Sequence, residues 1–179
     1  MASGKVTEFN LPTSGGGNFK LSAHKGDIVV LYFYPKDSTP GCTTEGIDFA
    51  ALHDEFVKAN AIIVGVSRDS VKSHDCFCAK HGFPFVLISD AEETLCTQFD
   101  VIHQKNMYGK QVRGIVRSTF VIGVAGELAQ CGAASKYRGT RGQCWSLLKR
   151  SASVNAVECA RAFQRNVVSA VRHLPTTSE

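Results

Sequence analysis

One cysteine in this chain sits where a thiol can act as a nucleophile. Cys42 follows the apolar run Ile28-Val29-Val30-Leu31-Tyr32-Phe33-Tyr34 and the stretch Pro35-Lys36-Asp37-Ser38-Thr39-Pro40-Gly41, and it precedes a helical pattern. A strand, a tight Pro/Gly turn and a helix start place its sulfur near the positive end of the helix, which favours the thiolate form. A thiolate held there is a candidate for attack on an electrophilic centre. The bland alternative is a small buried hydrophobe.

The elements that must position this thiol can be read from periodicity. Residues 28–34 and 61–67 are short runs rich in β-branched residues, as in strands covered on both faces. Between them, residues 43–59 set Ile47, Phe49, Ala50, Ala51, Phe56 and Val57 among polar positions, which predicts an amphipathic helix and a β-α-β unit. Asp69 or Ser70 caps a second helix reaching about Lys80 and ended by Gly82. Residues 85–88 form a strand, Asp90 caps a helix to about Phe99, and 117–124 form a further strand, with Gly15-Gly16-Gly17-Asn18 turning an N-terminal hairpin. Such alternation predicts an α/β sheet domain.

The turn resembles the Pro-x-x-x-Thr-x-x-Cys signature of the peroxiredoxins, here Pro35, Thr39 and Cys42. The fuller string around it is similar to the peroxiredoxin Q, or bacterioferritin comigratory protein, branch. Gly65-Val66-Ser67-Arg68-Asp69-Ser70, Phe83-Pro84-Phe85-Val86-Leu87-Ile88-Ser89-Asp90 and Arg117-Ser118-Thr119-Phe120-Val121-Ile122 extend the likeness, which runs from about Phe9 to Gly126. The resemblance implies a thioredoxin-like fold with a mixed central β-sheet flanked by helices. It also implies a thiol-dependent peroxidase that reduces hydrogen peroxide and organic hydroperoxides with no metal or organic cofactor.

Carried onto this chain, the resemblance makes Cys42 the peroxidatic thiol, which becomes a sulfenic acid. Thr39 would hydrogen-bond the thiolate or the peroxide, with the Gly41 and Cys42 amides as further donors, and Pro35 would fix the loop and shield the pocket from water. Arg117 falls where the family's active-site arginine lies; otherwise it is an edge-of-strand surface residue. Glu45 either orients that arginine or occupies a solvated first turn. Many relatives resolve the sulfenic acid with a cysteine five positions after the first, but that position here is Ile47. Another subgroup carries the resolving thiol in a string like Phe77-Cys78-Ala79-Lys80-His81-Gly82-Phe83, which implies Cys78. A disulfide needs Cα atoms within about 7 Å, so local unwinding of both helices is expected on oxidation. A thioredoxin-like reductant would then reopen the Cys42–Cys78 bridge.

The remaining cysteines read differently. Cys76 lies about 200° around a helix from Cys78 and is expected to be a partly exposed bystander. Cys96 is expected in the core. His74, Cys76, Cys78 and His81 do not present four ligands on one helix face, which argues against a metal site. There is no Cys-x-x-Cys pair, which argues against a disulfide reductase.

Chain length suits one domain. No segment approaches membrane-spanning length and the first ten residues hold no apolar leader, so a cytoplasmic protein is expected, and the resemblance implies a monomer. Seven cysteines at irregular spacing suggest reduced thiols rather than a disulfide scaffold. The charge is uneven: residues 1–129 carry 12 Lys and Arg against 14 Asp and Glu, whereas residues 130–179 carry 8 against 2. The division predicted is therefore a peroxiredoxin domain over 1–129 and a divergent basic segment over 130–179. That segment holds Cys131, Cys144, Cys159 and the sole tryptophan, Trp145. Reading permitted codons two bases later through this stretch gives an ending close to the family's, so a frameshift near residue 130 is the explanation favoured. The alternative function is redox sensing or nucleic-acid association through the basic tail; no nucleic-acid partner is expected under the main reading.

Overall fold

The computed structural model describes residues 5–107 and 110–133, and the basic segment, its cysteines and the frameshift expectation lie outside it, apart from the backbone up to Ala133. In chain order the elements are β1 (Asn10–Pro12), β2 (Asn18–Lys20), β3 (Ile28–Phe33), α1 (Pro40–Ala51), α2 (His53–Lys58), β4 (Ala61–Ser67), α3 (Val71–His81), β5 (Val86–Ser89), α4 (Thr94–Gln98), β6 (Ile102–Met107), β7 (Lys110–Ile115), β8 (Ser118–Ile122) and β9 (Leu128–Ala133). Single 3₁₀ turns occupy Ser14–Gly16 and Leu21–His24.

Five strands form the central sheet in the order β5-β4-β3-β8-β9. The first three are parallel, and β8 and β9 add antiparallel neighbours, which makes the sheet mixed. The side-chain period of two sorts the middle strand: Val29, Leu31 and Phe33 point to one face, Val30 and Tyr32 to the other, and Tyr34 continues the second row. The first face is packed with Phe9, Phe19, Leu95, Phe99, Ile115 and Phe120 from the N-terminal hairpin, the α4 region, β7 and β8. The second is packed with Cys42, Phe49, Phe56 and Phe77 from α1, α2 and α3. Both candidate redox helices therefore lie on the same side of the sheet.

The predicted elements are present with three physical adjustments. The 43–59 helix starts at Pro40 and breaks at Leu52, giving α1 and α2. Ser70 is the residue that caps α3, accepting from the Ser73 amide, and Gly82 closes it with a left-handed φ of 64°. Asp90 does serve the amides of the following helix, Leu95 and Cys96, but α4 begins only at Thr94 because Glu93 adopts a left-handed φ of 58°. The sheet also gains β9 on its outer edge, and a separate hairpin, β6–β7, which the sequence reading missed.

Candidate active site

The loop after β3 delivers the chain into α1 with Thr39 extended at the N-cap and Pro40 at the first helical position. Proline there has no amide to leave unpaired and its fixed φ suits the helix. The Thr43 amide makes the first intrahelical bond, to the Thr39 carbonyl at 2.9 Å. Helix geometry thus leaves the Gly41 and Cys42 amides in the first turn without intrahelical acceptors, as donors at the positive end. Cys42 is only 2% exposed.

Arg117 arrives from the residue before β8, which pairs antiparallel with β3 and so carries it back to the start of α1. Its Nη2 stands 3.2 Å from the Cys42 Sγ, and its Nη1 donates to the Glu45 carboxylate one turn along the helix. A guanidinium donating to sulfur stabilises negative charge there. Of the two readings for Glu45, the orienting one fits: its side chain is 14% exposed and is paired with the arginine. Burial pushes the Glu45 carboxyl up to about 7, although the Arg117 charge and hydrogen bond pull it down.

Thr39 and Pro35 both lie in the loop between β3 and α1. The Thr39 hydroxyl donates to the Lys36 carbonyl at 3.0 Å, tightening the loop, and only its lone pairs are left to face a donor. Pro35 is exposed, and Asp37, which is 6% exposed, anchors the loop through bonds to Tyr34, Ser73 and His74. The sequence reading gave Asp37 no role beyond the turn.

Cys78 lies on α3, half-buried against the same aromatic cluster that holds Cys42, and both thiols are free. Its sulfur donates weakly to the Ser14 hydroxyl at 3.7 Å, while the Gly15 amide donates to Asp75 on the same helix at 2.8 Å. Burial pushes the Cys78 thiol up from its ordinary value, with Asp37 and Asp75 adding to the rise and Ser14 opposing it. Cys76 is exposed on the other side of α3, as expected. Of the two histidines on the same helix, His74 is buried against Asp37, and the His81 ring stacks on Phe83. Cys96 is fully buried in the opposite core, where burial raises its thiol far above the usual range.

The α1–α3 joint is closed by Phe83, which follows α3. A Cβ on Gly46 of α1 would lie 2.5 Å from the tip of that ring, so only glycine lets the ring lie on the helix. No helix among the described residues is long and apolar enough to cross a membrane.

The AhpC/TSA family model matches residues 3–131. A curated relative, peroxiredoxin Bcp of Xanthomonas campestris, is 58% identical over 146 residues, covering 80% of this chain and 91% of its own. A solved structure of the Xanthomonas campestris bacterioferritin comigratory protein, concerned with its alkyl peroxide reduction activity, is 56% identical, covers 79% of this chain and 90% of its own, and superposes with a TM-score of 0.68. Peroxiredoxin Q of the same organism has also been solved as two cysteine-to-serine mutants, at 57% identity and a TM-score of 0.68 each; their altered positions have the same separation as Cys42 and Cys78. The likeness runs along most of the length of these known proteins: the chain belongs to the AhpC/TSA family, in its peroxiredoxin Q (bacterioferritin comigratory protein) branch, and is a thiol-dependent peroxidase.

Proposed function

We propose that Cys42 is the peroxidatic thiol and Cys78 the resolving one in a two-step cycle acting on hydrogen peroxide and alkyl hydroperoxides. The observation that carries the first assignment is the 3.2 Å contact between Arg117 Nη2 and the Cys42 sulfur at the start of α1. The Cys42 thiolate attacks the distal peroxide oxygen, the O–O bond breaks, and the leaving oxygen takes a proton to depart as water or alcohol. Arg117 and the first-turn amides of α1 face the charge that develops. Thr39 shapes the loop that delivers those amides, with Pro35 at its base.

Sulfenic acid is left on Cys42. The Cys78 thiol then attacks that sulfur, forming the S–S bond and releasing water, and a dithiol reductant of thioredoxin type reopens it by exchange. The two environments favour this order. Cys42 has a cation at its sulfur, whereas Cys78 is raised by burial and by Asp37 and Asp75, and is held by Ser14. The cysteine mutants of the Xanthomonas protein, with their matching separation, support the same pair. We read the chain as a cytoplasmic monomer, with the catalytic domain ending near residue 129, where the family match also runs out at 131.

Peptide mapping by mass spectrometry after one equivalent of hydrogen peroxide tests the assignment. A Cys42–Cys78 disulfide is expected. Cys42 carrying sulfenic or sulfinic acid beside a free Cys78 makes the protein a one-cysteine peroxidase and removes the resolving role.

A further inference from the structure

Asp37 lies in the catalytic loop, two residues before Thr39, and its carboxylate is filled by Tyr34 at the start of that loop and by two residues of α3. One oxygen accepts the Tyr34 hydroxyl at 2.7 Å; the other accepts the Ser73 hydroxyl at 2.7 Å and stands 2.9 Å from His74 Nδ1. Its amide donates to Asp69 at 2.8 Å. His74 is 0% exposed, and its second ring nitrogen, Nε2, lies 3.2 Å from the Ile88 carbonyl.

The partners of this imidazole decide its protonation. A carbonyl oxygen can only accept, and so can an ionised carboxylate, whereas a neutral imidazole has one N–H to give. Only the imidazolium satisfies both contacts. The Tyr34 hydroxyl, 3.4 Å from Nδ1, leaves that count unchanged because its proton is directed at Asp37 over the shorter distance. Charges of opposite sign with every hydrogen bond filled are the condition under which a buried ion pair is tolerated. Burial alone would raise the Asp37 carboxyl, but the bonds from His74, Ser73 and Tyr34 outweigh it and hold the group below its ordinary value.

Ser73 and His74 belong to the opening turns of α3, and His74 precedes Cys78 by one helical turn on the same face. A single ion pair therefore bridges the loop that leads into Cys42 and the helix that carries Cys78. We propose that His74 is a positioning residue: as an imidazolium it clasps Asp37, fastens the catalytic loop to α3 in the reduced enzyme, and must let go before Cys78 can reach oxidised Cys42. The gating part rests on the reading of Cys78 as the resolving thiol.

The test uses the full chain with His74→Gln, which keeps one N–H donor and removes the charge. Ser73→Ala, which deletes a single hydroxyl from the same carboxylate, serves as a milder second variant. In the reduced wild type, nitrogen NMR of the His74 ring should show a proton on both nitrogens at neutral pH; one proton overturns the clasp. Amide exchange across 71–82 should rise roughly tenfold in His74→Gln and less in Ser73→Ala, the scale of losing a charge-assisted hydrogen bond. The conversion of trapped sulfenic acid to disulfide should accelerate by a similar factor. Unchanged exchange, or raised exchange with unchanged or slower disulfide formation, overturns the proposal. A Cys78→Ser control separates the two readings. If its sulfenic acid vanishes as fast as in the wild type, the resolving assignment fails, while the NMR and exchange results still judge the clasp.

Discussion

Replacing Arg117 tests the chemistry most directly. In Arg117→Gln the Nη2 contact to the Cys42 sulfur at 3.2 Å is lost as a charged donor, and Glu45, only 14% exposed, loses its counter-charge. A hydrogen bond to a charged group is worth about 1.5–3 kcal/mol, and each 1.36 kcal/mol is about a factor of ten in rate. The second-order constant for Cys42 oxidation should therefore fall by about tenfold to 150-fold. The assay is single-turnover: limiting peroxide, a sulfenic-acid trap, and mass spectrometry of the Cys42 peptide. Alkylation of the same thiol by iodoacetamide, followed in parallel, separates two contributions. Loss of thiolate slows both reactions equally, whereas loss of transition-state stabilisation slows the peroxide reaction more. Because the guanidinium also faces oxygen charge that alkylation never develops, the peroxide reaction should suffer the larger drop. A peroxide rate within about threefold of the wild type would refute the assignment of Arg117 as an activating group.

Three further outcomes are expected. Cys78→Ser should keep the peroxide step and accumulate sulfenic, then sulfinic, acid at Cys42, with no intramolecular bridge in a peptide map. Glu45→Gln should flatten part of the pH dependence of stability: the native carboxyl, at about 7 against an ordinary 4.5, holds its proton more tightly than the unfolded chain does. Its contribution is therefore present at low pH and lost as pH rises through 4.5 towards 7, by up to about 3 kcal/mol, and urea midpoints at pH 5 and pH 8 should change less in the variant. Gly46→Ala gains about 1 kcal/mol of helix propensity but meets the Phe83 ring at 2.5 Å. That ring is boxed by Phe77, His81 and Phe85, so overpacking of about 1–3 kcal/mol should prevail and the melting temperature should drop.

The parts of the site that are contiguous in sequence were legible there, and the parts built by tertiary contact were not. Pro40, Gly41 and Cys42 follow an apolar strand, so the strand, turn and helix start could be read from residue types alone. Asp37 reads as one more turn residue, because its partners Ser73 and His74 lie 36 and 37 positions away and meet it only when α3 packs on the sheet. The same holds for Glu93: its left-handed conformation delays α4, and the two arginines that bind its carboxylate, Arg68 and Arg113, come from distant elements. The β6–β7 hairpin escaped detection because His103-Gln104-Lys105-Asn106 offers no apolar run, and the pair stands as its own two-stranded sheet. The resemblance, by contrast, carried information that periodicity lacks. It singled out Arg117, whose approach to Cys42 depends on β8 lying beside β3.

That placement also bears on how the first step prepares the second. Under the role proposed for Cys42, its thiolate and the Arg117 guanidinium, 3.2 Å apart, tie the first turn of α1 to the sheet in the reduced enzyme. Conversion of the thiolate to a neutral sulfenic acid removes one of the two charges. The Arg117–Sγ contact then falls from a charge–charge pairing to a weaker hydrogen bond in which only the guanidinium is ionised. Arg117 keeps its other partner, Glu45, which sits one helical turn further on. Hence the hold on the start of α1 weakens while the part beyond it stays anchored, by Glu45 on one side and by the Gly46–Phe83 contact on the other. The segment loosened by oxidation is the one that carries Cys42, and the anchors that survive lie C-terminal to it. On the proposed cycle, oxidation itself would thus weaken the hold on the thiol that has to move, and leave the rest of the helix seated to receive it again once the disulfide is reduced.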